Sequence, residues 1–226
     1  MVRAVICDCD GVLLESADLK TRAFEALFRP ICPDRVEEIR AYHLAHMGIS
    51  RFVKFRHIYR AILRRPLTPD EEQELGRRFA AYLEEEIARV PLVPGLEAFI
   101  SYARQRGYAL FVASGTPEEE LLALAQGRGM RDWFLEWHGA PKTKPSIIRD
   151  ILTRHAWRSA EAVFVGDATS DQAAAAGAGV RFVARVTTPD DPLAACRYRI
   201  GDLRELPTLL ESVEREGLGG EKGGAT

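Results

Sequence analysis

The segment Val2-Arg3-Ala4-Val5-Ile6-Cys7-Asp8-Cys9-Asp10-Gly11-Val12-Leu13 constrains this chain most. An apolar run leads directly into two aspartates one residue apart, followed by glycine and more apolar residues. A carboxylate is costly to bury without a partner, so acidic residues ending a buried strand call for a reason. Side chains alternate along a strand, which puts Asp8 and Asp10 on the same side. If the chain leaves the strand at Gly11, both reach one site at the carboxyl end of that strand, where open α/β sheets bind ligands. Two carboxylates there suit a hard cation, or a nucleophile beside an acid/base. A strand end closed by an Asx-turn is the purely structural alternative.

The rest of the pattern supplies a sheet for that strand. Tyr108 to Ala113, Leu135 to Trp137, Ala162 to Val165, Val180 to Ala184 and Tyr198 to Ile200 read as strands. Between them, helices are expected from the box Thr116-Pro117-Glu118-Glu119 through Leu124, over Ser146 to His155, and over roughly 170 to 177. Alternating strands and helices predict a parallel sheet with helices on both faces. Residues 17 to 90 contain no convincing strand. There, Phe52, Phe55, Tyr59 and Ile62 recur at helical spacing behind a Ser50 N-cap. Thr68-Pro69-Asp70-Glu71 opens a helix expected to run to about Arg89, before Pro91 and Pro94. The predicted organisation is therefore a core of residues 1–16 and 91–216, a helical block at 17–90 inserted between its parts, and a disordered Gly-rich tail at 217–226.

A chain of 226 residues can hold a substantial core. Its formal net charge of -2 argues against a general coat for nucleic acid or anionic membrane. No apolar run reaches the roughly 18 residues that span a bilayer, and no leader is expected at the start. Cys7, Cys9, Cys32 and Cys196 show no zinc spacing and read as reduced thiols, so a cytoplasmic protein is expected.

Polar groups gather at the strand ends: Asp8 and Asp10, then Ser114-Gly115-Thr116, then Asp167 and Asp171, with Lys144-Pro145 on a loop. The motifs Asp8-Cys9-Asp10-Gly11-Val12, Ser114, Lys144-Pro145 and Gly166-Asp167-Ala168-Thr169-Ser170-Asp171 resemble, in order, those of the haloacid dehalogenase (HAD) superfamily. The inserted block resembles that family's C1-type helical cap, and the implied fold is a Rossmann-like core with this cap.

The resemblance implies a Mg²⁺-dependent phosphatase acting through an aspartyl-phosphate. Asp8 would be the nucleophile and Asp10 the general acid/base. Ser114 and Gly115 would bind the phosphoryl group, and Lys144 would neutralise its charge. Asp8, Asp167 and the Asp10 carbonyl would hold Mg²⁺, with Asp171 joining through water or orienting Lys144. Members that cleave carbon–halogen or carbon–phosphorus bonds lack the second aspartate, so Asp10 implies phosphate esters. Lys142 is the rival of Lys144; it reads as a solvated loop charge. Asp171 could equally cap the following helix, Thr116 reads as a helix cap, and His138 as structural.

In the inserted block, Gly48-Ile49-Ser50-Arg51 resembles the Gly-x-Ser-Arg element of β-phosphoglucomutase-like caps, where the arginine contacts a distal anionic group of the substrate. Arg51 and, near the first hinge, Lys20 are thus the expected cap residues at the substrate, with Lys54 weighed behind them. From Arg40 to Pro69 the chain has many basic residues and no Asp or Glu, which reads mainly as a solvated face. The expected substrate is a small phosphorylated metabolite, a sugar phosphate or a phosphoglycolate-like compound, with no nucleic-acid or membrane partner and a monomer or homodimer as the assembly. A β-phosphoglucomutase-type phosphomutase is the alternative, weakened by Lys20 where that branch commonly has His. A non-enzymatic regulator ranks behind both, because the acidic and basic groups are intact.

Overall fold

The computed structural model describes residues 1–87 and 89–220. Six parallel strands form the sheet: β1 (Ala4–Cys7), β2 (Ala109–Pro117), β3 (Glu136–Ala140), β4 (Ala162–Gly166), β5 (Arg181–Arg185) and β6 (Arg199–Ile200). Their spatial order is β3-β2-β1-β4-β5-β6. The first strand is therefore central, flanked by β2 and β4, and Cys7 pairs with Val112 on one side and Val165 on the other. That register brings Asp8, Ser114 and Asp167, each just past the pairing, to one edge of the sheet. Here the chain order reverses, which is where such sheets bind ligands.

Alternation along the strands sorts two cores. Val5, Cys7, Val112, Val163 and Val165 face α5 (Leu96–Arg106), α6 (Glu118–Gly127) and α9 (Leu206–Gly220). Ala4, Ile6, Phe111 and Phe164 face α7 (Lys144–Arg154) and α8 (Thr169–Ala178). A strand buried on both faces needs the continuous apolar run seen at Ala4–Cys7.

A third core belongs to α1 (Ala17–Phe28), α2 (Val36–Ala45), α3 (Arg51–His57) and α4 (Pro69–Ile87). Phe24 lies at its centre, 5.0 Å from Phe79 and 5.8 Å from Phe55 between ring centroids. This is the helical cap. Phe55, Tyr59 and Ile62 are buried as their spacing implies, although α3 passes into a π-helical turn over Ile58–Ile62. Thr68 and Glu71 make the reciprocal capping bonds at the start of α4, which is described to Ile87.

Several expectations need correction. β2 continues beyond Ala113 to Pro117, because its pairing with β3 resumes at Pro117 and Ala140 after an irregularity. Pro117, not Thr116, is therefore the N-cap of α6, and the Thr116 hydroxyl is free for other partners. Ser50 stands at the N-cap of α3 without a side-chain capping bond. The short strand expected at Leu135 to Trp137 lies at Glu136–Ala140. Helices α5 and α9 have apolar stripes, Leu96-Phe99-Ile100-Ala103 and Leu206-Leu210-Val213, that the strand-centred reading passed over. Packing of that second stripe carries α9 to Gly220, into the segment expected to be disordered; residues 221–226 of that tail lie outside the described residues. Among the described residues, no helix is long and apolar enough to cross a membrane.

Candidate active site

Asp8 is 2% exposed at the end of β1. One carboxylate oxygen accepts the Cys9 amide N–H at 2.7 Å, and the other accepts from Lys144 Nζ at 2.7 Å. Lys144 opens α7 behind the Thr143 cap and also donates to Asp171 Oδ1 at 2.5 Å. The second oxygen of Asp171 accepts the Ala168 N–H at 3.2 Å. Asp171 thus both tethers the start of α8 and holds Lys144, joining the two roles weighed for it. Burial opposes the charge on Lys144, but the Asp171 and Asp8 carboxylates outweigh it and hold the ammonium charged. Lys142 instead lies near Glu118 on the surface, and His138 pairs with Glu136.

Asp167, at the end of β4, completes a cluster in which one oxygen from each of Asp8, Asp167 and Asp171 lies within 4.8 Å of the others. Burial and the charges of Asp8 and Asp171 push Asp167 well above the ordinary carboxylate range, and burial does the same to Asp8. Three carboxylates share one lysine, and Asp167 accepts no hydrogen bond among the described residues. Such an oxygen-rich, under-neutralised cluster fits a hard divalent cation. Gly11 makes room for it: with φ of +70°, a Cβ there would fall 1.8 Å from Asp167 Oδ2.

Asp10 has a different environment. Ser16 donates to its Oδ1 at 2.6 Å, Lys20 donates to its Oδ2, and the Thr116 hydroxyl donates to Oδ2 at 3.3 Å while accepting from Lys20 at 2.8 Å. Burial would raise its pKa, but the Lys20 charge and these hydrogen bonds win and lower it. Two aspartates a residue apart therefore differ: one is pushed toward the neutral form unless a cation arrives, the other is kept ionised.

The cap closes over this edge. Gly48, at φ of +79°, lies so close to the core that a Cβ would approach Ser170 Oγ to 2.5 Å and Lys144 Nζ to 3.1 Å. Ser170 also donates to the Met47 carbonyl at 2.5 Å. Beneath it is a cavity of about 60 Å³ lined by Asp8, Asp10, Asp167, Gly115 and Thr116 from the core side and by Lys20, His43, Arg51 and Lys54 from the cap. Ser114 is buried beside it, its hydroxyl accepting the Thr116 N–H at 3.1 Å. Arg51 lines the cavity, but its two terminal nitrogens donate to Glu120 of α6.

Sequence reading missed Thr116, His43, Glu120 and Arg185. The buried Arg185 at the end of β5 donates to the Gly11 carbonyl at 2.8 Å and to both oxygens of Glu15, bracing the loop that carries Asp10. A basic residue ending an otherwise apolar strand was its available signal.

Residues 2–179 match the haloacid dehalogenase-like hydrolase family. A phosphoserine phosphatase from Thermus thermophilus is 35% identical over 61% of this chain and 57% of that protein, so the match spans little more than half of that relative. A phosphoglycolate phosphatase from Synechococcus elongatus is 26% identical over 81% of this chain and 83% of its own length. Among solved structures, a β-phosphoglucomutase from Clostridium difficile superposes with a TM-score of 0.80 at 17% identity, covering 96% of this chain and all of that one; the likeness is one of fold. With that fold, that ordered set of motifs and these relatives, the chain belongs to the haloacid dehalogenase-like hydrolase family and is an enzyme of its phosphatase type.

Proposed function

We propose that the protein is a Mg²⁺-dependent phosphatase of small phosphorylated metabolites, of the phosphoglycolate or phosphoserine kind, working through an aspartyl-phosphate. The observation that carries this reading is the pairing of Asp8, braced by Lys144, with an ionised Asp10 on the same edge and the Asp167 cluster beside them.

In this reading Asp8 attacks phosphorus while its second oxygen stays bound to Lys144. Asp10 moves the protons: it first takes one up from solvent against the pull of Lys20, delivers it to the leaving alkoxide, then regains it from the water that attacks the phospho-aspartate. Lys20 and Thr116 orient its carboxylate toward that task. Lys144 and the amides near Ser114 and Gly115 stabilise charge on the transferring group. Asp8, Asp167 and Asp171 would hold Mg²⁺, directly or through water, with the Asp10 carbonyl as a further ligand; the ion would neutralise the phosphoryl oxygens. Arg51 and Lys20 line the space left for the leaving group.

The leaving group must fit between the core edge and the cap side chains Phe24, Phe79 and Leu83, which favours a short one. Two of the relatives are named for esters of short carboxylic acids, phosphoglycolate and phosphoserine, which supports the same size class. The test is hydrolysis of a generic aryl phosphate by purified protein with and without Mg²⁺. Turnover that needs the metal and disappears in Asp8→Asn is expected; metal-independent turnover, or turnover surviving that substitution, overturns the mechanism.

A further inference from the structure

Two polar side chains of the cap are buried against the cavity without a compensating charge. Lys54, on α3, is 2% exposed, and among the described residues it pairs with no carboxylate. Its Nζ lies 2.9 Å from His43 Nδ1 and 5.2 Å from the centre of the Phe24 ring. His43, on α2, is 3% exposed, lies 4.4 Å from Phe24 between ring centroids, and has a buried Nε2 without a hydrogen-bond partner. When the Lys54 ammonium donates to Nδ1, the imidazole proton sits on Nε2, leaving an unused donor beside an unused cation. Both residues line the cavity that holds Asp8 and Asp10. A buried, unpaired ammonium is among the costliest groups a fold can carry, and an unpaired buried N–H adds to that cost. Burial and the Lys20 and Lys144 charges push Lys54 down to about 7 against the pull of Asp10, and burial and Lys54 push His43 down to about 3; the carboxylates of the cavity lie on its core side, and the cap side of the lining contributes none.

We propose that Lys54, positioned by its contact with His43 Nδ1, forms the recognition site for a carboxylate on the leaving group, making phosphate monoesters of short hydroxy acids the preferred substrates. This rests on the phosphatase reading above and names the residues that select within it. A single ammonium held by one imidazole nitrogen suits a monoanion better than a second phosphate dianion. Arg51, the residue the motif resemblance assigns to a distal anion, has its terminal nitrogens engaged by Glu120, whereas Lys54 has no anionic partner. The apolar rings of Phe24 and Phe79 in the same lining keep water out, which strengthens a charged contact made there.

The test compares 2-phosphoglycolate with ethyl phosphate, which is matched in length but lacks the carboxylate. The wild type is expected to favour phosphoglycolate, and the ratio of the two kcat/KM values should fall roughly 10- to 100-fold in Lys54→Met, the range of a lost charge-assisted hydrogen bond. His43→Asn should lower the ratio in the same direction and serves if the first variant does not fold. Lys54→Arg should retain most of the preference. A ratio that stays within about threefold of wild type in both Lys54→Met and His43→Asn overturns the inference while leaving the phosphatase reading intact. A wild type inert toward both esters and toward an aryl phosphate overturns that reading and this inference with it.

Discussion

Arg51 of the cap and Glu120 of the core face each other through two guanidinium N–H groups, one of them 2.8 Å from its carboxylate oxygen. The arginine is buried and stacked over Phe52 and Phe79, each ring centre 5.2 Å from its guanidinium carbon. The glutamate is partly exposed. This pair ties α3 of the cap to α6 of the core beside the cavity, a tether expected to help hold the cap in place.

A double-mutant cycle tests that role. Arg51→Met and Glu120→Gln should each lower kcat/KM by about three- to tenfold, with phosphoglycolate and ethyl phosphate affected alike, and the double variant should be little worse than either single one. A loss confined to the carboxylate-bearing ester would instead place Arg51 on the substrate.

Lys54 should trade stability for recognition. Its pKa falls from an ordinary lysine value in the unfolded chain to about 7 in the fold. The unfolded state therefore binds more protons between those values, and the resulting destabilisation is full below pH 7 and fades as pH rises toward 10. Lys54→Met should raise the midpoint of thermal unfolding near pH 7 by several degrees, on the order of 2 kcal/mol, with the gain shrinking at alkaline pH. Differential scanning calorimetry across pH reads both effects.

The same group gives selectivity a pH dependence. Lys20 and Lys144 lower the Lys54 pKa, Asp10 raises it, and His43 stays neutral throughout. Preference for phosphoglycolate over ethyl phosphate should weaken as pH rises above about 7, since only the ammonium attracts the carboxylate. Comparing the two esters at each pH cancels the titration of their phosphate groups.

Metal binding should stabilise the fold. At ten times its dissociation constant Mg²⁺ contributes about 1.4 kcal/mol, or roughly 3–6 °C in the unfolding midpoint. Asp167→Asn should remove most of that shift. Gly11→Ala should remove it as well and lower stability on its own, because its Cβ would collide with Asp167 in a backbone conformation that alanine resists.

Arg185→Met should cost about 1–3 kcal/mol, chiefly because it strands the buried Gly11 carbonyl, while the exposed Glu15 can turn to water. Chemical denaturation measures it. Turnover by the residual folded protein should also fall, because the Asp10 loop loses its brace.

What the sequence made legible was the strand-end chemistry. Asp8, Lys144, Asp167 and Asp171 meet because period-2 alternation and a parallel sheet leave few other arrangements, and both are visible in the apolar runs. Thr116 misled because Thr-Pro-Glu-Glu is a sound capping signal; strand pairing at Pro117, a tertiary event, displaced the helix start. His43 and Lys54 were obscured for a different reason. On a helix otherwise rich in exposed basic residues, nothing local separates a lysine turned inward from one turned to water. Only the packing of Phe24, Phe55 and Phe79 decides it. Arg51 was legible as special, but its partner Glu120 lies on another element that no spacing rule connects to it.

The central position of β1 has a consequence for how the enzyme comes into being. Asp8 is among the first residues made, yet its strand must wait for β2 on one side and β4 on the other. Its lysine arrives at residue 144, its acidic neighbour at 167, and the arginine that clamps its loop at 185. A nascent chain therefore carries Asp8 unarmed through most of synthesis, with the cap helices complete before the sheet they cover. Long-range pairing of this kind slows folding. It also means that the polar groups at the sheet edge come together only once residues up to 185 have been made.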